Sequence, residues 1–314
     1  MSDLLGVDIT PSPDCSKVTL RQTGYIDRLV AKWFPDGAPA LTRSNKVPAG
    51  PDLAQLVADA LASTEVPCSS AVRDFQSIVG ALLYAATNTR PDICYAVGML
   101  CRAMSRPTPE LQRSALQVLE YLHRTRLLGL CYERSTDPVS GASDSDWGIQ
   151  RSTSGSVFLF QRASVSWAST KQTSVALSSC EAEIMALSEA AKEALHLRGL
   201  AQELGVGDDA PTKLGCDNTA ARDLSYNPEY HKRVKHIERR HFFVRECVEN
   251  MQISVPYVNT VDNLADFFTK VQDAKTFVAM RDAIMNVSLP EAPDRGSVHE
   301  GALKVTGDSS VRAP

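Results

Sequence analysis

The sequence predicts an α/β protein: a mixed sheet with helices on its faces in the second half, preceded by a mainly helical segment. Three observations predict it. Up to about residue 128 most apolar residues recur at helical spacing, and from Gly129 short alternating runs take over. From there the elements follow the order βββ-α-β-α-α-β-α, which suits one sheet with helices packed on it. At 314 residues the chain has room for two domains of ordinary size, each with its own core.

Leu5 to Ile9 alternates, Pro11 to Asp14 breaks, and Lys17 to Leu20 resumes, giving two strands. Tyr25, Ile26, Leu29, Val30 and Trp33 then recur as one helix face, and Pro35 to Pro51 reads as a loop. Val72 to Met104 is helical twice over, split at Asn88 to Asp92, where Pro91 disfavours helix in Arg90 and suits the first turn of the next one. Leu111, Ala115, Leu116, Leu119 and Leu122 form a third stripe. Past Gly129 come three strands: one ending at Asp144, then Val157 to Phe160, then Val165 to Trp167. A long helix covers about Ser179 to Leu204, stopped by Gly205-Val206-Gly207. Lys213 to Cys216 is a strand delivering Asp217 into another helix, a basic helix precedes Met251, a strand covers Ile253 to Val258, and a short helix follows Asp262. From about Leu289 to Pro314 the composition is that of a disordered tail.

Hydrophobic residues make up 43% and charged residues 22%, the balance of a globular protein. No apolar run is long enough to cross a bilayer, and Met1-Ser2-Asp3 opens no secretory signal. The eight cysteines show neither a CxxC pair nor zinc spacing, so they are expected as reduced core thiols of an intracellular protein without a membrane partner. A net charge of −4 gives no global sign of nucleic-acid binding. Locally, however, Lys232, Arg233, Lys235, Arg239, Arg240 and Arg245 stand against only Glu229 and Glu238, a stripe able to track phosphates. His231, His236 and His241 recur every five residues, about 140° apart on a helix, so they cannot share one metal.

Four acids at the edges of predicted elements carry the chemistry: Asp144, Glu183, Asp217 and Asp266. Carboxylates gathered from several elements are how a protein holds two Mg²⁺ ions on a phosphodiester. Asp144 and Asp146 would point to opposite faces of a strand, so only one can join a shared site. Ser178-Ser179-Cys180-Glu181 fits a capping box, with Glu181 reaching back to the Ser178 N–H. Glu183 instead heads the face of Ala186, Leu187, Ala190, Ala194, Leu197 and Ala201, where a carboxylate is costly unless paired or metal-bound. Asp217 alone fits a helix N-cap, and Asp266 alone an exposed helical acid. Together, unpaired, the four would raise one another's pKa values, a conflict a divalent cation removes.

Ala176 to Leu187 resembles a segment of Ty1/copia-type retrotransposon Pol proteins, as do Ser143 to Trp147, Arg151 to Gly155, Cys216-Asp217-Asn218 and Lys235-His236-Ile237. All fall in that family's ribonuclease H segment; Val79 to Tyr84 and Thr89 to Ile93 resemble the end of its reverse transcriptase. The likeness spans about residues 4–270. It implies a ribonuclease H-like mixed five-stranded sheet with flanking helices, preceded by a mainly helical reverse-transcriptase thumb/connection segment. The implied organisation is a reverse-transcriptase remnant over 1–128, a ribonuclease H-like domain over 129–275 and a tail over 276–314. The implied activity is cleavage of the RNA strand of RNA–DNA hybrids with two Mg²⁺ ions (or Mn²⁺) held by Asp144, Glu183, Asp217 and Asp266. Lys171, Lys232, Arg233, Lys235 and Arg239 would contact the hybrid, and the rest of a reverse transcriptase is a further implied partner. A virus-like particle in the cytoplasm, or the nucleus, is the implied location.

The chain also departs from the family. The Tyr-x-Asp-Asp loop and the other palm acids are absent, so no polymerisation is expected, and the chain reads as a truncated Pol fragment. Asn259 replaces a usual Pro and Val271 replaces the Pro of Thr-Lys-Pro, both near Asp266. No histidine lies between Met251 and Asp266, unlike in some cellular ribonucleases H. Two other expectations stand beside the enzyme: an inactive relic that only binds nucleic acid or a partner, and a different ribonuclease H-like nuclease such as an integrase. The latter fits the four acids and the upstream helices less well.

Overall fold

A computed structural model describes residues 2–37, 46–148, 151–227 and 238–287. Two sheets organise it. The first is antiparallel, in the order β1 (Ser2–Leu4), β2 (Val7–Pro11), β3 (Lys17–Arg21) and β4 (Leu130–Glu133). Between β3 and β4 run α1 (Thr23–Trp33), α2 (Leu53–Ala62), α3 (Ser69–Asn88), α4 (Cys94–Arg102) and α5 (Pro109–Arg124). β1 and α2 had no counterpart in the sequence reading, although Leu53, Val57 and Ala60 do line up and are buried. The strand expected to end at Asp144 is present, and β4, which had no counterpart either, precedes it in the first sheet. The chain leaves β4 for an irregular stretch containing Pro138, which cannot donate to a ladder, and re-enters as β5 (Ser140–Ser145) in the other sheet.

The second sheet is the mixed, five-stranded one that was expected. Its strands are β5, β6 (Thr153–Phe160), β7 (Ala163–Lys171), β8 (Thr212–Gly215) and β9 (Ile253–Ser254), in the order β7-β6-β5-β8-β9. β7, β6 and β5 are antiparallel neighbours, while β5–β8 and β8–β9 are parallel. β9 is shorter than the expected Ile253 to Val258 because Pro256 lacks an N–H. Parallel pairing nonetheless continues beyond it, with Cys216 N–H donating to the Pro256 carbonyl (3.1 Å) and Val258 N–H to the Cys216 carbonyl (3.0 Å).

The pleat of β6 divides the core. Phe158 faces α6 (Ser179–Glu203), α7 (Thr219–Tyr226) and α8 (Glu238–Glu249), packing with Ile184, Leu187, Leu214, Leu224 and Val244. Gly141 on β5 leaves room for the Phe158 ring, which a Cβ there would meet at 2.5 Å. Val157 faces the other way, into a core shared with α1–α5, Phe267, Phe268 and α9 (Ala274–Met285). α9 lies in the segment assigned to the tail, yet Phe277, Met280, Ile284 and Met285 are buried. The expected disordered stretch from Leu289 lies outside the described residues.

Where the helical segment is split, Arg90 and Asp92 are both buried and form a bidentate pair, Nε–Oδ1 2.8 Å and Nη2–Oδ2 2.7 Å. Tyr121 Oη donates to Asp92 Oδ2 (2.6 Å), and Arg90 also donates to the Thr125 carbonyl and hydroxyl. The pair thereby anchors the α3–α4 junction to α5. All eight cysteines are free thiols. Cys15 and Cys68 are exposed, which corrects the expectation that all are core residues: they lie in a turn and at a helix start. No helix among the described residues is long and apolar enough to cross a membrane.

Candidate active site

β5 and β8 run parallel with Ala142 opposite Gly215, so two residues further along, Asp144 and Asp217 leave adjacent strand ends at the same level. Asp217 is not the N-cap of α7. Asn218 is, accepting the Ala221 N–H (3.0 Å), which leaves the Asp217 carboxylate for the cluster. α6 delivers Glu183 from the sheet-facing side of its first turns. The cap is as expected at Ser178, whose hydroxyl accepts the Glu181 N–H (3.1 Å). The Glu181 carboxylate, however, accepts from the Leu177 N–H (2.7 Å) and not from Ser178; it closes the turn one residue earlier.

Carboxylate oxygens of Asp144, Glu183 and Asp217 all lie within 4.8 Å of one another. Asp144 and Glu183 are buried, Asp217 half-buried. Glu183 Oε1 accepts from Ser145 N–H (3.2 Å) and Ser145 Oγ (3.1 Å), while its Oε2 is buried without a partner among the described residues. Asp144 Oδ2 accepts from Thr269 Oγ1 (2.6 Å). Burial is the main force pushing the Glu183 carboxyl up to about 8, helped by Asp144 and Asp217 and opposed by the Ser145 bonds. Burial likewise pushes Asp144 up to about 7; the Thr269 hydroxyl opposes it, and Asp266 and Asp217 add to it. Such a cluster fits a divalent cation on the chemistry of the donors. They are hard oxygens, too close to ionise together, and one is a buried acceptor left unsatisfied.

Asp266 is also buried, on a 3₁₀ turn over Leu264–Phe268. Asn263 caps this turn and donates from Nδ2 to the Ser143 carbonyl (3.1 Å), fastening it to β5. Gly155, opposite Asp144 on β6, lets it approach; a Cβ there would sit 2.6 Å from the Ala265 carbonyl oxygen. Asp266 is near enough to raise Asp144, but its oxygens are taken by Lys270 Nζ (2.5 Å) and Gln272 Nε2 (3.0 Å). Asp146 belongs elsewhere. Its carboxylate accepts the Thr153 N–H across the β5–β6 end, beside Arg102 of α4. Ser145, Thr269, Lys270 and Gln272 had not been singled out from the sequence. For Ser145 the one signal was its place between Asp144 and Asp146, and for the other three the Thr269-Lys270-Val271-Gln272 run beyond Phe267 and Phe268.

Lys171 is exposed at the end of β7, on the rim of a groove of about 480 Å³ that also touches Trp167, Glu189, Glu193 and Arg240. Trp167 is half-buried, and its Nε1 donates to the Ala86 carbonyl (2.8 Å). Lys232, Arg233 and Lys235, with His231 and His236, lie outside the described residues, as does the side chain of Arg239. His241 is buried, with Nε2 2.6 Å from the Leu224 carbonyl oxygen, a structural place.

No protein-family model matches the chain. Among curated proteins it is similar to the "Retrovirus-related Pol polyprotein from transposon TNT 1-94" of Nicotiana tabacum, 32% identical over 293 residues, covering 90% of this chain and 21% of that protein. It is also similar to the "Retrovirus-related Pol polyprotein from transposon RE1" of Arabidopsis thaliana, 36% identical over 202 residues, covering 63% and 14% of the two chains. The "Transposon Ty1-JR2 Gag-Pol polyprotein" of Saccharomyces cerevisiae is 26% identical over 217 residues, covering 66% and 12%. Among solved structures, a foamy viral protease-reverse transcriptase in complex with RNA/DNA hybrid aligns with a TM-score of 0.43 and 14% identity, covering 71% of this chain and 28% of that one. That likeness is too distant to add to the assignment. The chain spans about a fifth or less of the length of these curated relatives (21%, 14% and 12%). Similarity along 90% of its own length to one such polyprotein, with the others agreeing, places the chain in the Ty1/copia-type retrotransposon Pol family.

Proposed function

We propose that this chain is a Mg²⁺-dependent ribonuclease H that cleaves the RNA strand of RNA–DNA hybrids as part of a Ty1/copia-type reverse transcriptase. The observation that carries the reading is the convergence of Asp144, Glu183 and Asp217 within 4.8 Å around a buried, partnerless Glu183 oxygen. Family membership supports the reverse-transcriptase context. Asp144, Glu183 and Asp217 would hold the metal, with Asp266 beside them as the fourth donor. Bound divalent cations would supply activation of a water and stabilisation of the leaving 3′-oxygen.

The chain's own residues do the rest. Ser145 fixes one Glu183 oxygen and leaves the other for the site. Thr269 orients Asp144, and the 3₁₀ turn brings Asp266 to the strand end. Lys171 and the basic segment containing Lys232, Arg233, Lys235 and Arg239 would hold phosphates of the hybrid.

The test is incubation with a hybrid labelled on either strand, with Mg²⁺ or with EDTA. RNA-strand cleavage in Mg²⁺, lost in Asp144→Asn, is expected; no cleavage, or cleavage that survives Asp144→Asn, rejects the enzyme and favours a binding-only relic.

A further inference from the structure

The four acids are not equivalent. Three leave their oxygens facing one another, and one of those oxygens is buried and empty-handed. The fourth, Asp266, is already neutralised. Lys270 Nζ sits 2.5 Å from its Oδ1, and Gln272 Nε2 donates both to its Oδ2 (3.0 Å) and to its carbonyl (3.0 Å). Lys270 brings an ammonium directly onto the Asp266 carboxylate. Its positive charge therefore stands where a cation shared with Asp266 would be repelled. Lys270 is not locked there, since its side chain is 52% exposed at the end of a long flexible stem.

Resting on the metal-dependent reading above, we infer that Lys270 is a built-in counter-cation for Asp266, so that the substrate-free protein takes one divalent ion at Asp144–Glu183–Asp217 and admits a second only when Lys270 swings away. The ammonium and a second ion compete for the same carboxylate, and only one can have it. A phosphate of the incoming nucleic acid is the natural acceptor for the released ammonium, because it offers Lys270 an alternative anion while the ion takes Asp266. Lys270 is a positioning residue in this scheme. It sets the order in which the site fills, and Gln272 keeps the Asp266 carboxylate oriented meanwhile.

The experiment counts Mn²⁺ bound to the full chain without nucleic acid, from the loss of the free-ion EPR signal during titration at neutral pH. Wild type, Lys270→Met, Lys270→Arg and Asp217→Asn are compared after circular dichroism has shown each folded. Wild type is expected to bind one ion well and a second weakly. Lys270→Met should tighten the second ion by roughly fivefold, the worth of a half-exposed ion pair, whereas Lys270→Arg should keep the wild-type order. Asp217→Asn should lose the first ion. Two ions of equal affinity in wild type, or a second ion indifferent to Lys270→Met, overturns the role of Lys270 while leaving the metal site intact. No ion bound by wild type overturns the metal reading and this inference together.

Discussion

At the scale of single residues, the site is a place where burial and function pull against each other. Asp144 and Glu183 are raised to about 7 and about 8 by burial first and by mutual repulsion second. Both values lie above the usual carboxylate range near 4. Between those limits the folded protein binds more protons than the unfolded chain, so stability from these groups is present at low pH and lost as pH rises through 7 to 8. The melting temperature of EDTA-treated protein should therefore fall from pH 5 to pH 9. Added Mg²⁺ should restore more at pH 9 than at pH 5, and Asp144→Asn should flatten the profile, all readable by thermal scanning. Elsewhere the buried Arg90–Asp92 pair has its charges matched and hydrogen-bonded. Asp92→Ala would strand the guanidinium, and about 3–5 kcal/mol of stability should disappear in denaturant titration.

At the scale of elements, much of the site was legible because it follows from periodicity. The 3.6-residue repeat put Glu181 and Glu183 on different sides of α6 and gave Glu183 the sheet-facing one, where it bonds Ser145. The strand–acid–helix pattern at Asp217 was equally plain, although only the structure shows Asn218 taking the cap. What escaped is long-range. Nothing local in the sequence says that Thr269 reaches Asp144 across 125 positions, or that Gly155 is small because the 3₁₀ turn lies on it. The same limit explains why β4 was not foreseen, since pairing partners decide which sheet a short run joins. Gly155→Ala tests the packing directly. The added Cβ must push the Ala265 carbonyl away, carrying Asp266 with it, at a cost of about 1–3 kcal/mol in stability. Cleavage should drop by roughly 100-fold with the fold retained, as circular dichroism and a single-turnover assay would show.

At the scale of the molecule, the two sheets are not separate bodies. Val157 of the five-stranded sheet lies in the same core as α1–α5 and α9, Trp167 bonds Ala86, and Tyr132 Oη donates to the Ser164 carbonyl (2.8 Å). β4 and α9, taken from the sequence as part of the second domain and the tail, complete the first sheet and the shared core. Composition and periodicity report how many elements a chain can form, and are silent on which cores merge. One cooperative unit follows: heating should give a single transition, with β3 and β6 amides losing hydrogen-exchange protection together. Two well-separated transitions would show that the shared core does not couple the halves.

The central claim is that Glu183, and not its neighbour two residues away, completes the metal-holding cluster with Asp144 and Asp217. Cleavage of an RNA–DNA hybrid in Mg²⁺ by Glu183→Gln and Glu181→Gln, side by side, tests it most directly. Glu183→Gln should abolish cleavage while folding normally, whereas Glu181→Gln should cleave and lose about 1 kcal/mol of stability with its N-terminal bond to Leu177 weakened. Loss of cleavage in Glu181→Gln with Glu183→Gln still active would contradict the account.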